Sequence, residues 1–269
     1  MAADGAFEWT EIEAAPEGVR RAAAKHGLGS RFVKYRTTVG RGLATVLKLV
    51  GTGLVAALFG GIALHAFGDD SPVIGLLTGA VAAASLYTMI PMVRSLVKFR
   101  DEIYLLDAGL VQLSGRRARV FPWSTVEAYS DVTRWVKGGT TQSIDYKFTV
   151  RTPDGAAVVL DNHTTWDIDK LGAHIQGAVA QHQLPLTAAR VEGGETVTFG
   201  RFGVNRQGIT DAGRLVPWSE VDAIHHAAGQ IGFRRRGVRK PITVLTSKIP
   251  NGQVFAALAQ TTLLASRGR

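Results

Sequence analysis

Cysteine is missing from all 269 residues. Disulfides, thiol nucleophiles and Cys-ligated metals are thereby excluded. Short catalytic signatures are missing as well: the chain has no nucleophile elbow, no phosphate-cradling glycine loop and no HExxH pair. Gly200 and Gly203 fall between strand-like runs and open no helix, so no dinucleotide fingerprint forms. His225 and His226 are adjacent, and neighbours on a strand point to opposite faces, which argues against a shared metal. His163 stands near Asp161, Asp167 and Asp169. Metal or acid–base chemistry is one reading of that group, and the capped start of a helix near Trp166 is the better one. His174 and His182 read as helix-surface residues. No metal, no cofactor and no enzymatic activity are expected.

What the chain does have is two long apolar runs, Leu43 to Phe67 and Pro72 to Met92, separated by Gly68-Asp69-Asp70-Ser71. Each reaches the ~20 residues that a helix needs to cross ~30 Å of hydrocarbon. The first run holds only Lys48 and His65 as basic residues, both towards its ends, and the second holds no charge before Arg94. A soluble helix normally carries a polar stripe. Residues 42–97 are therefore expected to form a transmembrane helical hairpin. Arg31, Lys34, Arg36 and Arg41 precede it and Arg94, Lys98 and Arg100 follow it, while the break is acidic. The positive-inside rule then expects a multi-pass protein of the inner (plasma) membrane with both termini cytoplasmic. The acidic N-terminus and late apolar run are unlike a cleaved signal peptide. Small residues recur at Gly53, Ala57, Gly61 and at Gly75, Gly79, Ala83. They are read as the contact of the two helices with each other, with homo-oligomer formation as the alternative.

The net charge is +9, from 31 Lys and Arg against 22 Asp and Glu. That balance suits an anionic leaflet. No basic arm or nucleic-acid motif accompanies it, so no nucleic-acid partner is expected. Residues 1–41 read as a cytoplasmic lead with a short helix, opened by Pro16-Glu17 and ended by Gly27 or Gly29. Its Arg20, Arg21 and Lys25 could rest on the membrane surface or in solvent. After the hairpin come short β-rich runs: IYLLD, AGLVQL, RARVF, VEAYSDV, YKFTV and AAVVL. Thr152-Pro153-Asp154-Gly155 is a turn between two of them. Helical spacing follows from Trp166 to Gln183 and is expected to end at Pro185. A second block gives TVTFG, GVNRQ, GRLVP, VDAIHH, QIGFRRR and PITVLTS, then a closing helix capped by Asn251.

The blocks repeat. Pro122-Trp123-Ser124-Thr125-Val126-Glu127-Ala128 matches Pro217-Trp218-Ser219-Glu220-Val221-Asp222-Ala223, and Gly109-Leu110 matches Gly208-Ile209. Trp123 and Trp218 are expected core anchors. Ser124-x-x-Glu127 fits a helix-capping box, but the β-branched and aromatic residues after it favour a turn entering a strand. The expected fold is a membrane α+β protein. A two-helix hairpin precedes two small β-barrel or sheet units, residues 101–184 and 195–266, each closed by a C-terminal helix.

This pattern of Gly-Leu/Ile, Pro-Trp-Ser-x-Val-Glu/Asp, strands and a helix resembles bacterial pleckstrin-homology-like domains. The whole chain is similar to an uncharacterised bacterial membrane-protein family. The matching pieces are Ala23-Ala24-Lys25-His26-Gly27-Leu28-Gly29, Phe121-Pro122-Trp123-Ser124, Val197-Thr198-Phe199-Gly200, Val216-Pro217-Trp218-Ser219 and Ile249-Pro250-Asn251. The resemblance implies two membrane helices with tandem cytosolic modules and brings no known reaction. Two basic turns are the candidate sites: Arg234, Arg235, Arg236, Arg239 and Lys240 first, then Arg116, Arg117 and Arg119. Beside a lipid bilayer either could hold anionic lipid head groups at about 1 kcal/mol per charge. The expected function is a membrane-anchored binding or scaffold protein that takes a protein partner or anionic lipid. A membrane-surface enzyme of unknown reaction is the alternative.

Overall fold

The computed structural model describes residues 8–35, 39–68, 72–98, 101–162, 167–227 and 229–268. It divides into two compact units, Met1–Tyr35 with Ile103–Arg269, and Arg36–Glu102.

The smaller unit is a pair of helices, α2 (Val39–Gly68) and α3 (Pro72–Lys98). Their apolar segments, Val46–Ala66 and Pro72–Val93, have mean hydropathy 1.9 each and are long enough to cross a membrane. Only 11% and 6% of these segments is buried. Leu47, Leu54, Leu58, Leu64, Leu76, Leu77 and Tyr87 all point outward. A core helix of a soluble protein hides such residues, whereas these two helices leave them uncovered. Several hydroxyls of the described residues bond within their own helix: Thr52 donates to the Lys48 carbonyl at 2.9 Å and Ser85 to that of Val81 at 2.9 Å. The helices meet through small residues. Gly53 approaches Met89, Gly60 approaches Ala82, and Gly79 approaches Ala63, with Ala56 and Ala63 buried. Gly53, Ala56, Gly60 and Ala63 follow a heptad spacing, the pattern of closely packed antiparallel helices. The four-residue series read from the sequence is thus only partly the contact, since Ala57, Gly61 and Ala83 are exposed.

In the larger unit α1 (Glu17–His26) lies between β1 (Thr10–Glu11) and β2 (Arg31–Tyr35). β3 (Asp101–Leu106), β4 (Gly109–Ser114) and β5 (Arg117–Pro122) complete a five-stranded sheet in the order β1-β2-β3-β4-β5. Alternation sends Ile103, Leu105 and Leu110 to the main core, and Tyr104, Leu106 and Val111 to a second cluster on the other face. That second cluster is covered by α1 through Val19, Ala22 and Ala23. The helix ends at Gly27 (φ 62°) as expected. Its apolar face is packed on the sheet, and Arg20, Arg21 and Lys25 are exposed. Residues 31–35, which the sequence places in the lead, form a strand of this sheet. Phe32 pairs with Leu106 and Tyr35 with Ile103, so the helical hairpin is inserted between two bonded strands.

The rest repeats one order of elements. β6 (Glu127–Lys137), β7 (Thr140–Arg151) and β8 (Ala157–Asp161) form a three-stranded sheet followed by α4 (Ile168–Glu192). The second half has a four-stranded sheet of β9 (Val197–Phe199), β10 (Phe202–Val204), β11 (Gly208–Asp211) and β12 (Arg214–Pro217). A three-stranded sheet of β13 (Val221–Ala227), β14 (Gln230–Arg235) and β15 (Ile242–Leu245) leads to α5 (Gly252–Arg267). Counting β2 with β3, β4 and β5, each half is four strands, three strands and a helix. The sheets do not close into barrels. At each Pro-Trp-Ser the chain leaves its sheet: the Pro122 carbonyl accepts from Thr125 and Val126 (3.1 and 3.2 Å), not from a neighbouring strand. α4 also runs through Pro185 to Glu192. Thr187 and Val191 beyond the proline are buried, and that packing outweighs one lost backbone bond.

The Tyr35–Ile103 pairing makes a clear expectation. A chain with residues 36–102 replaced by a tight turn should fold as one cooperative body, read by circular dichroism and urea melting. A fragment starting at Asp101 should not. It lacks Val19, Leu28, Phe32 and Val33, each buried side chain contributing about 1.5–3 kcal/mol against a total stability of ~5–15 kcal/mol.

Candidate functional site

The sharpest local signature of the repeat is structural. Trp123 and Trp218 are both buried. The Trp123 amide donates to the Ala108 carbonyl (3.0 Å) and its indole to that of Leu106 (3.4 Å). The Trp218 amide donates to Gln207 (3.1 Å) and its indole to Asn205 (3.1 Å). The glycine that follows each acceptor pair has no room for a side chain. A Cβ on Gly109 would come within 2.9 Å of the Phe121 carbonyl oxygen, and one on Gly208 would overlap that of Val216. Gly-Leu/Ile and Pro-Trp-Ser are therefore two ends of one packed unit, present twice.

Between the halves lies a polar seam. The Asn251 amide donates to the Ala128 carbonyl (2.8 Å), and the Asn251 side-chain oxygen accepts from the Ala128 amide (2.7 Å). The Asn251 Nδ2 donates to the Val126 carbonyl (3.0 Å) and to Gln183 Oε1 (2.8 Å). The buried Gln183 in turn donates to the carbonyls of Trp123 (2.7 Å) and Val126 (2.8 Å). Thr246 adds a bond to the Ser130 carbonyl at 2.9 Å. Asn251 does precede α5, but its side chain makes no capping bond; it is spent on the seam. A cavity beside it, lined by Ser130, Gln176, Val179 and Gln253, has room for about one water molecule. Sites for small molecules are typically ~300–1,000 Å³, so the seam is a joint and not a substrate pocket.

The basic turns are separate from the seam and from each other. In the first-ranked cluster Arg234 pairs with Asp222 (2.6 Å) and Arg235 with Glu220 (2.5 Å). Arg236, Arg239 and Lys240 are exposed and make no ion pair among the described residues. In the other cluster Arg116, Arg117 and Arg119 are all exposed, again without an ion pair among the described residues. Arg117 and Arg119 share one face of β5, with Gly115 (φ 61°) turning the chain from β4. β3 and β4 are joined by the turn at Asp107-Ala108, so they are antiparallel. The β4–β5 turn therefore lies at the same end of the sheet as Tyr35 and Asp101, where the chain runs into α2 and out of α3.

One element was under-read. β6 and β7 extend well past the body as a two-stranded ribbon whose residues 131–143 are all exposed. Trp135 and Val136 near its tip are more than half exposed. The Trp135–Val136 doublet was the available signal.

The remaining candidates place as follows. His163 lies outside the described residues. No group of three or more His, Asp or Glu arranged for a metal occurs among the described residues. Asp167 pairs with Lys170 (3.4 Å). Burial, and then Asp167 and Asp169, hold the Tyr35 phenol well above its ordinary pKa. Tyr129 donates to Glu127 at 2.8 Å, and burial with that contact pushes its pKa up to about 12. His182 Nδ1 lies 2.9 Å from the Ala178 carbonyl, and the His174 ring packs against Trp9.

The family model of a family of unknown function, DUF6585, matches residues 11–267. The chain belongs to that family. The match runs from β1 to the last turn of α5 and so takes in the inserted hairpin as well as both halves of the body. No curated protein and no solved structure matches the chain. Membership thus fixes the extent of the architecture and assigns no activity.

Two stability measurements check this geometry. Asn251→Ala should lower unfolding free energy by about 2–4 kcal/mol in urea melts, because it strands several partners and places alanine at φ 51°. The imidazole of His226 is held below its ordinary pKa by partial burial and then by the charge of His225. Folding thus opposes its protonation. Stability from this group is complete above pH ~6.5 and falls as the pH drops below that value. His226→Gln should flatten that part of the pH–stability curve.

Proposed function

We propose that the chain is a non-enzymatic, membrane-tethered binding protein of pleckstrin-homology-like build. On this reading α2 and α3 span the inner membrane, both termini are cytoplasmic, and the body binds anionic lipid head groups beside its own anchor. The four-plus-three-plus-helix order of each half supports the pleckstrin-homology-like assignment. The basic flanks of the helices support the orientation. The observation that carries the proposal is the Arg116, Arg117 and Arg119 turn. Its cations lack acidic partners among the described residues, and it sits at the sheet end where β2 stops and β3 starts, the two strands between which the apolar helices are inserted in sequence. Binding of anionic phosphate by such a turn is charge-assisted and needs no deep pocket.

The body in which a tight turn replaces residues 36–102 should pellet with vesicles containing anionic lipid and not with neutral ones, and added salt should weaken it. Changing Arg116, Arg117 and Arg119 to Glu should reduce that affinity by more than about a hundredfold, at about 1 kcal/mol per charge removed and more on reversal. Unchanged pelleting would reject the turn as the site. Release of the full chain from membranes by alkaline carbonate would reject the anchor.

A further inference from the structure

The β6–β7 ribbon has no evident role in the body's core. Register places Val132 opposite Tyr146 and Arg134 opposite Ile144, so the face that carries Ala128 and Phe148 in the core continues outward through a half-buried Tyr146 to an exposed Val132 and Arg134, while Trp135 stands on the other face beside Asp145. From Asp131 to Lys137 this is about 20 Å of strand at ~3.3 Å per residue. The tip is turned by Gly138 and Gly139, both at positive φ (60° and 81°), the geometry of a tight hairpin turn. The Trp135 indole donates to Asp145 at 2.7 Å, which fixes the ring on the ribbon. The ring remains 57% exposed, with Val136 58% and Val132 40% exposed. Arg134 and Lys137 flank them.

We infer that this hairpin tip is a second membrane contact, inserting Trp135 and Val136 into the head-group layer of the anionic leaflet with Arg134 and Lys137 at the phosphates. The inference rests on the membrane-anchored reading above and adds a surface to it. The tip is convex and narrow, and a fluid surface accepts a convex wedge without a matching groove. Tryptophan favours the interface because its body is apolar and its N–H is polar. The flanking cations complement the charge of the leaflet. The tether keeps that leaflet at high effective concentration, so even a weak contact is populated.

The absence of cysteine allows a direct test on the full chain. Single cysteines at Val136, Leu58 and Glu192 would each carry an environment-sensitive dye, in vesicles of mixed anionic and neutral lipid with spin-labelled lipids as quenchers. The dye at Val136 should shift to the blue and be quenched by spin labels at head-group depth, while the dye at Glu192 stays water-like. Arg134→Glu or Lys137→Glu should each lower the inserted fraction at least about fivefold, and Trp135→Ser should lower it without loss of the body's folding transition. Quenching at Leu58 with a water-like Val136 would overturn the inference and leave the anchor standing. A Val136 dye shielded from water yet unquenched by lipid would overturn it in favour of a second copy or another protein. An unquenched Leu58 would overturn the anchor itself and this inference with it.

Discussion

The bonded pair of Tyr35 and Ile103 is the constraint from which the rest follows. Everything between these two neighbours is an insertion. A flexible loop of that length would cost closure entropy, though the cost grows only with the logarithm of its length. An antiparallel helical hairpin lowers that cost further, because it returns the chain near its own start. α2 and α3 meet through Gly53, Gly60 and Gly79 at close approach, so the return is built in. The same pairing explains why α1 belongs to the body: β2 is an interior strand with β1 on one side and β3 on the other.

The two halves are alike in order but not independent. One buried cluster runs from Val33 and Leu110 through Trp123 and Ile175 to Phe255 and Leu263. Open sheets expose backbone edges that barrels would have closed. Here the edge of β6 at Ala128 is met by Asn251 on both its amide and its carbonyl. The left-handed backbone at Asn251 (φ 51°, ψ 47°) aims the side chain at this edge instead of at its own helix. Asparagine tolerates that conformation and supplies both a donor and an acceptor. Gln183 supplies the matching pair from α4, and a residue with only one kind of group could not close this network.

Local chemistry made much of this legible. The apolar runs, the Thr152–Gly155 turn, the strand after each Pro-Trp-Ser and the doubled motif all rest on residues close in sequence. The failures share one cause, which is dependence on distant partners. Arg31 to Tyr35 looks like a basic lead because its pairing partner lies beyond the hairpin. Pro185 looks like a helix end because Thr187 and Val191 find their core contacts elsewhere. β11 was missed: Gly208 to Asp211 is short, and its glycine is required by the carbonyl of Val216 across the strand pair. Asn251 was legible as a position before a helix, and its function at the seam was not, since Ala128 and Gln183 lie 123 and 68 residues away.

The same lesson decides between the basic turns. Density of arginine along the chain ranks Arg234 to Lys240 first. Folding removes that lead. β13 and the turn before it run beside β14 and bring Asp222 and Glu220 against Arg234 and Arg235, so part of that positive field is already answered. β4 and β5 bring no acid to Arg117 or Arg119; their cross-strand neighbours are Ser114 and Gln112. A half-exposed ion pair contributes little to stability, ~0–1 kcal/mol, yet it lowers the charge that a phosphate would meet. What matters for an anionic surface is thus the charge left after pairing, together with where the sheet holds it. Each turn keeps three cations without an acidic partner among the described residues, Arg236, Arg239 and Lys240 in one and Arg116, Arg117 and Arg119 in the other, so the proposed preference for the Arg116 turn rests on its place at the end of the sheet shared with Tyr35 and Asp101.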